Sequence, residues 1–158
     1  MSEFSHIDKD GTPHMVDISK KKPTIRTAKA YGKVIVNKEV YEAIINNTII
    51  KGPVLETAKI AGIMGAKKTY NLIPLTHPLL MEHIDIEFNI RPYEIEIISS
   101  VKIEGKTGAE MEALTAVSIS ALTIYDMCKA IDKEIIITDI KLLEKTGGKS
   151  GHFIRKKG

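Results

Sequence analysis

Three groups of side chains in this sequence could do chemistry. Asp126 and Lys129 stand three positions apart, a spacing that puts both on one helix face. There they serve either as a surface ion pair or as a carboxylate and an ammonium group for proton transfer. His77 sits between Thr76 and Pro78 in a segment bounded by Pro74 and Pro78. A restricted backbone of this kind can hold an imidazole in one orientation for acid/base work, for anion contact or for a structural hydrogen bond. Gly147, Gly148 and Gly151, interleaved with Lys145 and Lys149, form a glycine- and lysine-rich tail. Exposed amides beside ammonium groups make an anion nest, although the same composition also suits a solvated chain end. The strings GGKS at 147–150 and GKTG at 105–108 are not phosphate loops, because the glycine that the Walker spacing requires is Leu143 in one case and Ser100 in the other. The histidines show no zinc-ligand spacing, and the one cysteine, Cys128, lies on an apolar helix face, so no metal site is expected.

These groups need elements to position them. Residues 1–25, with Pro13, Pro23 and the run Lys20, Lys21, Lys22, lack periodicity and read as an N-terminal arm, leaving 26–158 as one domain. Ala28, Ala30, Val34 and Val36 alternate with Lys29, Tyr31, Lys33 and Ile35 as in a half-buried strand. Asn37 caps a short helix over 38–45, and Pro53 opens a second running to about Lys67. That helix carries Ala58, Ala61, Gly62, Gly65 and Ala66, a small-residue surface that lets another backbone come close. Residues 70–78 read as a stiff loop. Ile84, Ile86, Phe88 and Ile90, then Ile95, Ile97, Val101 and Ile103, flank a turn at Arg91, Pro92 and Tyr93 and predict a hairpin. A capping box from Thr107 to Glu110 opens a long helix whose apolar face runs through Leu114, Val117, Ala121, Ile124, Cys128 and Ile131. The last strand is expected over 134–143, with Ile136, Thr138, Ile140 and Leu142 on one side.

The order β, α, α, β, β, α, β predicts a ferredoxin-like α+β fold, an antiparallel four-stranded sheet with helices packed on one face. The opposite sheet face, with Ile35, Ile98 and Leu143, calls for cover by oligomerisation. On the long helix, Glu112, Thr115, Thr123, Asp126, Lys129 and Lys133 share a stripe with Ile119 and Leu122, so that stripe too is expected to be covered. Glu112 and Asp126 are 14 positions apart, about 21 Å along a helix. Two such helices from different subunits, crossing antiparallel near Ile119, would bring Glu112 of one copy to Asp126 of the other.

Composition narrows the function. With 158 residues, 43% of them hydrophobic, the chain can bury a core without disulfides. A net charge of +3 is too small to imply nucleic-acid binding by itself, and aromatics at 5% lack the pattern of an RNA-recognition sheet. The N-terminus carries no apolar signal and no stretch reaches the ~18 apolar residues of a spanning helix, so a cytoplasmic protein without membrane association is expected. A nucleic-acid-binding module and a non-catalytic oligomeric ligand sensor are the alternatives. The first lacks its aromatics, and the second leaves Asp126, Lys129 and His77 unused.

Seven strings, in order along nearly the whole chain, resemble the MoaC family of molybdenum-cofactor biosynthesis, the cyclic pyranopterin monophosphate synthases. They are Met15-Val16-Asp17, Lys51-Gly52, AKIAG (58–62), LIPLTHP (72–78), GKTGAEMEAL (105–114), LTIYDMCKA (122–130) and KTGGKSG (145–151). The resemblance implies a lyase that converts (8S)-3′,8-cyclo-7,8-dihydroguanosine 5′-triphosphate to cyclic pyranopterin monophosphate with release of pyrophosphate. It implies a homohexamer, a trimer of dimers, with sites where subunits meet. No cofactor is required, and Mg²⁺ with the triphosphate is left open. By motif, Asp126 and Lys129 match the family's catalytic pair, joined by Lys51 and His77; Leu75, Thr76, His77, Met111 and Glu112 match its substrate contacts; Arg26, Lys145 and Lys149 match its basic residues. Ring opening and rebuilding need proton transfers, suited to Asp, Lys and His, whereas cyclic-phosphate formation needs cations near the departing pyrophosphate. Thr76 stands where the family usually has Cys, and His152 where it usually has Asp.

Overall fold

Alternation of apolar and polar residues decides which side of the sheet is inside. The computed structural model of the chain describes residues 7–156. Strand β1 (Thr24–Ile35) buries Ala28, Ala30 and Val34 and turns Lys29, Tyr31 and Lys33 the other way. Asn37 caps α1 (Lys38–Ile45), its side chain accepting from the Val40 amide at 2.9 Å. Pro53 stands at the N-cap of α2 (Val54–Lys67). A one-turn helix, α3 (Thr69–Leu72), occupies the start of the segment expected to be a loop; the buried Thr69 hydroxyl stitches it back to α2 by donating to the Ala66 carbonyl at 3.0 Å. The hairpin β2 (His83–Arg91) and β3 (Glu94–Gly105) turns at Pro92 and Tyr93, where Tyr93 takes φ +65° and its ring meets Tyr41 edge to face. Then come α4 (Glu110–Cys128), β4 (Ile136–Thr146) and β5 (Phe153–Ile154).

All the pairings are antiparallel and the strand order is β2-β3-β1-β4-β5. The first four strands have the ferredoxin-like order, with α2 and α4 against one face. The fifth strand corrects the expected count of four: the tail turns back at glycines and pairs Phe153 with Lys145 at the sheet edge. Strand β4 also departs from simple alternation. Two register shifts against β1, with Asp139 at φ +58°, add residues to β4 and break the single-sided run Ile136, Thr138, Ile140, Leu142. The expected capping box is absent as well. The helix starts at Glu110 with Ala109 as N-cap and no side-chain cap, because the Glu110 carboxylate folds over Gly108 and pairs with Lys145 at 3.5 Å.

Part of the Ile119 stripe of α4 is covered within the chain, while Leu122 stays exposed. Gly62 of α2 lies against Ala116 and Ser120, Gly65 lies against Ile119, and the Ser120 hydroxyl donates to the Ala58 carbonyl at 2.9 Å. At Ile119 the stripe therefore packs on α2 within the chain. Gly32 similarly admits Val117 onto β1, where a Cβ would overlap it. On the open face, Ile35 and Ile98 are half-buried beside a polar grid: the Tyr31 hydroxyl donates to Glu96 at 2.9 Å, and Lys33 pairs with Glu94 at 3.3 Å. Among the described residues, no helix is long and apolar enough to cross a membrane.

Candidate functional site

Lys51 is delivered to the end of α4 by the turn between α1 and α2. Asn47 at φ +54° ends α1, and Gly52 at φ +106° reverses the chain ahead of Pro53, a conformation that favours glycine. The Lys51 ammonium donates to the Asp126 carbonyl at 2.8 Å and to its Oδ2 at 2.9 Å, while Lys129 donates to Oδ1 at 2.8 Å. The last carbonyls of a helix lack intrahelical donors and carry the negative end of its dipole, so two ammonium groups are favoured there. Hydrogen bonds from Lys129 and Lys51 hold the Asp126 carboxyl down at about 2, and the same contact raises Lys129. One carboxylate between two cations leaves a local charge of +1, suited to a phosphoryl group on which negative charge develops.

The other end of α4 opens on a cavity of about 470 Å³. Leu75, Thr76 and His77 come to it from the proline-bounded loop, and Met111 and Glu112 from the first turn of α4. Glu112 is 3% exposed, and burial lifts its carboxyl to about 7, so it holds and releases a proton near neutrality. His77 Nε2 lies 2.8 Å from the Val16 carbonyl. A carbonyl only accepts, so the Nε2–H donates to Val16. The Thr76 hydroxyl donates to the Ile73 carbonyl at 2.9 Å, so toward a ligand it acts as an acceptor. His152 lies 2.7 Å from Glu144, outside the cavity lining.

The basic residues Lys145, Arg26 and Lys149 lie outside the lining of this cavity. Lys145 pairs with Glu110 and donates to the Ser150 hydroxyl, itself part of the cavity wall. Arg26 donates from Nε to the Gly105 carbonyl at 3.0 Å, and its guanidinium lies against Gly148. Gly147 and Gly148 take φ +90° and +76°, and a Cβ on either would strike β1 or the guanidinium. Arg26 and Lys149 line a second cavity of about 730 Å³ that shares Lys21 and Ser150 with the first.

The sequence-predicted residues thus form two sets. Leu75, Thr76, His77, Met111, Glu112, Arg26, Lys145 and Lys149 gather at the N-terminal end of α4, and Lys51, Asp126 and Lys129 at its C-terminal end. A 19-residue helix separates them, so one copy does not bring them together. Residues overlooked in the sequence are Val16 and Ile18 of the arm, Lys21 and Glu110. The arm shows no periodicity in sequence, yet its backbone holds His77 through Val16, and Lys106 donates to the Ser19 carbonyl at 3.3 Å. Strand β1 already takes up Thr24 and Ile25, while residues 1–6 of the expected arm lie outside the described residues.

Comparison with known proteins gives a consistent result. The chain matches the family model of the MoaC family over residues 15–148. It is 57% identical to the cyclic pyranopterin monophosphate synthase of Desulfitobacterium hafniense, across 98% of this chain and 95% of the relative. It is 54% identical to the proteins of the same name from Bacillus thuringiensis and Bacillus anthracis, across 99% of this chain and of each relative.

Proposed function

The chain belongs to the MoaC family, and from that premise we propose that it is a cyclic pyranopterin monophosphate synthase of molybdenum cofactor biosynthesis. It is a cytoplasmic lyase that rearranges (8S)-3′,8-cyclo-7,8-dihydroguanosine 5′-triphosphate to cyclic pyranopterin monophosphate and expels pyrophosphate. Rearrangement with loss of pyrophosphate is redox-neutral overall, so no redox cofactor is required.

The observation that carries this reading is the cavity at the start of α4, where Glu112, with a carboxyl near 7, shares a wall with His77 beside a cation-lined second cavity. Proton transfer during ring opening and closure needs groups that change charge near neutrality, and Glu112 is one. The purine-derived ring lies in the first cavity, bounded by Leu75 and Met111 and hydrogen-bonded through Thr76 and His77. Arg26, Lys145 and Lys149 balance the phosphate charge. Asp126 is the fixed carboxylate that presents Lys51 and Lys129, whose charges stabilise the phosphoryl group as the pyrophosphate leaves.

Because α4 holds the two sets about 21 Å apart, the complete site combines Lys51, Asp126 and Lys129 of one subunit with the cavity of another. The assembly is a homohexamer, a trimer of dimers, with sites between subunits. Incubation with the cyclised dihydroguanosine triphosphate, following pyrophosphate and pterin product together, tests the reading. Coupled appearance of both products, lost in Asp126→Asn, is the expected result. A folded wild-type assembly that forms neither would instead favour a ligand sensor.

A further inference from the structure

The arm is tied to the body of the chain at two points. Val16 and Ile18 are half-buried in the wall of the cavity at the start of α4, while Asp17 and Ser19 are exposed. Among the described residues, two hydrogen bonds join residues 7–23 to the rest of the chain. His77 Nε2–H donates to the Val16 carbonyl at 2.8 Å, and the Lys106 ammonium donates to the Ser19 carbonyl at 3.3 Å. Lys106 lies between the end of β3 and the start of α4, on a loop that is itself fixed: Arg26 donates to the Gly105 carbonyl at 3.0 Å, and Thr107 and Gly108 form part of the cavity wall. Lys106 is half-buried and is not part of that wall. Its charge also reaches Asp17, whose carboxyl is held below the usual range by hydrogen bonds from Ser19, with Lys106 adding to the effect. One ammonium thus braces the Asp17–Ser19 turn. Without it, the single hydrogen bond at Val16 would have to offset alone the conformational entropy of ordering the arm.

We infer that Lys106 is a positioning residue: by pinning the arm at Ser19 it keeps the Val16 carbonyl on His77, and so fixes the imidazole in the cavity without touching the substrate. The inference rests on the synthase reading for the reaction that His77 serves, while the pinning stands on the two hydrogen bonds alone.

Brief digestion of the assembled full-length protein with trypsin, followed by measurement of intact mass, reads the pinning directly. Lys20 and Lys21 directly follow the Ser19 anchor, and a protease cuts such a segment only when it leaves the surface. Lys106→Met is compared with wild type, with Lys106→Arg, which keeps a donor, and with Lys38→Met, which removes the same charge from the exposed start of α1. Loss of residues 1–20 or 1–21 is expected to be about fivefold faster in Lys106→Met and within about twofold of wild type in the other two. With the cyclised triphosphate, Lys106→Met should lower kcat about tenfold and leave KM within about threefold, and Lys106→Arg should restore kcat. Unchanged nicking in Lys106→Met, unchanged kcat, or a loss confined to KM overturns the inference; the last would make Lys106 a substrate contact. If nicking rises in Lys106→Met as expected but wild type yields no pterin, the pinning stands and the synthase reading falls. If wild type yields pterin while nicking in Lys106→Met stays at the wild-type rate, the pinning falls and the synthase reading stands.

Discussion

Replacing Glu112 with Gln should stabilise the protein above neutrality and leave it nearly unchanged in mild acid. Burial displaces the Glu112 carboxyl from 4.5 to about 7. At roughly 1.4 kcal/mol per pKa unit, the charged form costs the fold about 3 kcal/mol. The folded state binds this proton more tightly than the unfolded chain, so the favourable contribution is complete below about pH 4.5 and is lost as pH rises through about 7. Glutamine keeps the shape and lacks the titration. Urea denaturation of both proteins at equal concentration between pH 4.5 and 8.5 isolates the effect, because other titrating groups cancel in the difference. The variant is expected to gain up to about 3 kcal/mol over wild type at pH 8.5, with the gap closing toward pH 4.5. A gap of the same size at both ends would refute the assignment of that titration to Glu112.

The other predictions concern activity and packing. The acid limb of the pH–rate profile near neutrality should shift or vanish in Glu112→Gln; Asp126, held at about 2, stays ionised throughout that range and contributes no limb there. A neutral limb that persists unmoved in Glu112→Gln would assign it to another group. Lys51→Ala should lower kcat/KM by at least about a hundredfold in a folded assembly, as expected on removing a cation from a site of developing charge; undiminished kcat/KM would take Lys51 out of the site. Gly62→Ala should destabilise by about 1–3 kcal/mol although alanine favours helix, because its Cβ overlaps the Ser120 hydroxyl, Ile86 and the Ala116 carbonyl. A rise in the thermal midpoint would show that α2 and α4 can separate at no cost.

Much of the fold was legible because burial follows alternation closely in β1 and β3, where every second residue from Ala28 to Val34 and from Ile95 to Ile103 is buried. Local patterns failed where long-range contacts decide. Thr107 and Glu110 have the spacing of a capping box, but Lys145, 35 positions further on, draws Glu110 away. The β4 bulges and β5 depend on pairing with strands distant in sequence, and no period within 136–154 encodes them. The site divides in the same way. Helical rise alone separated Glu112 from Asp126, whereas the approach of the tail to Arg26 comes from tertiary contacts between segments more than 100 positions apart. The charge of Lys20 to Lys22 was visible, but the surface it faces was not.

The proposed synthase site takes its two halves from different copies. Co-expression of Asp126→Asn chains with Glu112→Gln chains, followed by purification of the mixed oligomer and assay of pyrophosphate release, tests this directly. Random pairing of these two chains, each strongly impaired alone, should restore roughly a quarter of wild-type turnover above their separate residual rates, since half of the dimers are mixed and each carries one intact site of its two. Mixing Asp126→Asn with Lys51→Ala, which damage the same half, should restore none. Equal turnover in the two mixtures would contradict a site divided between subunits.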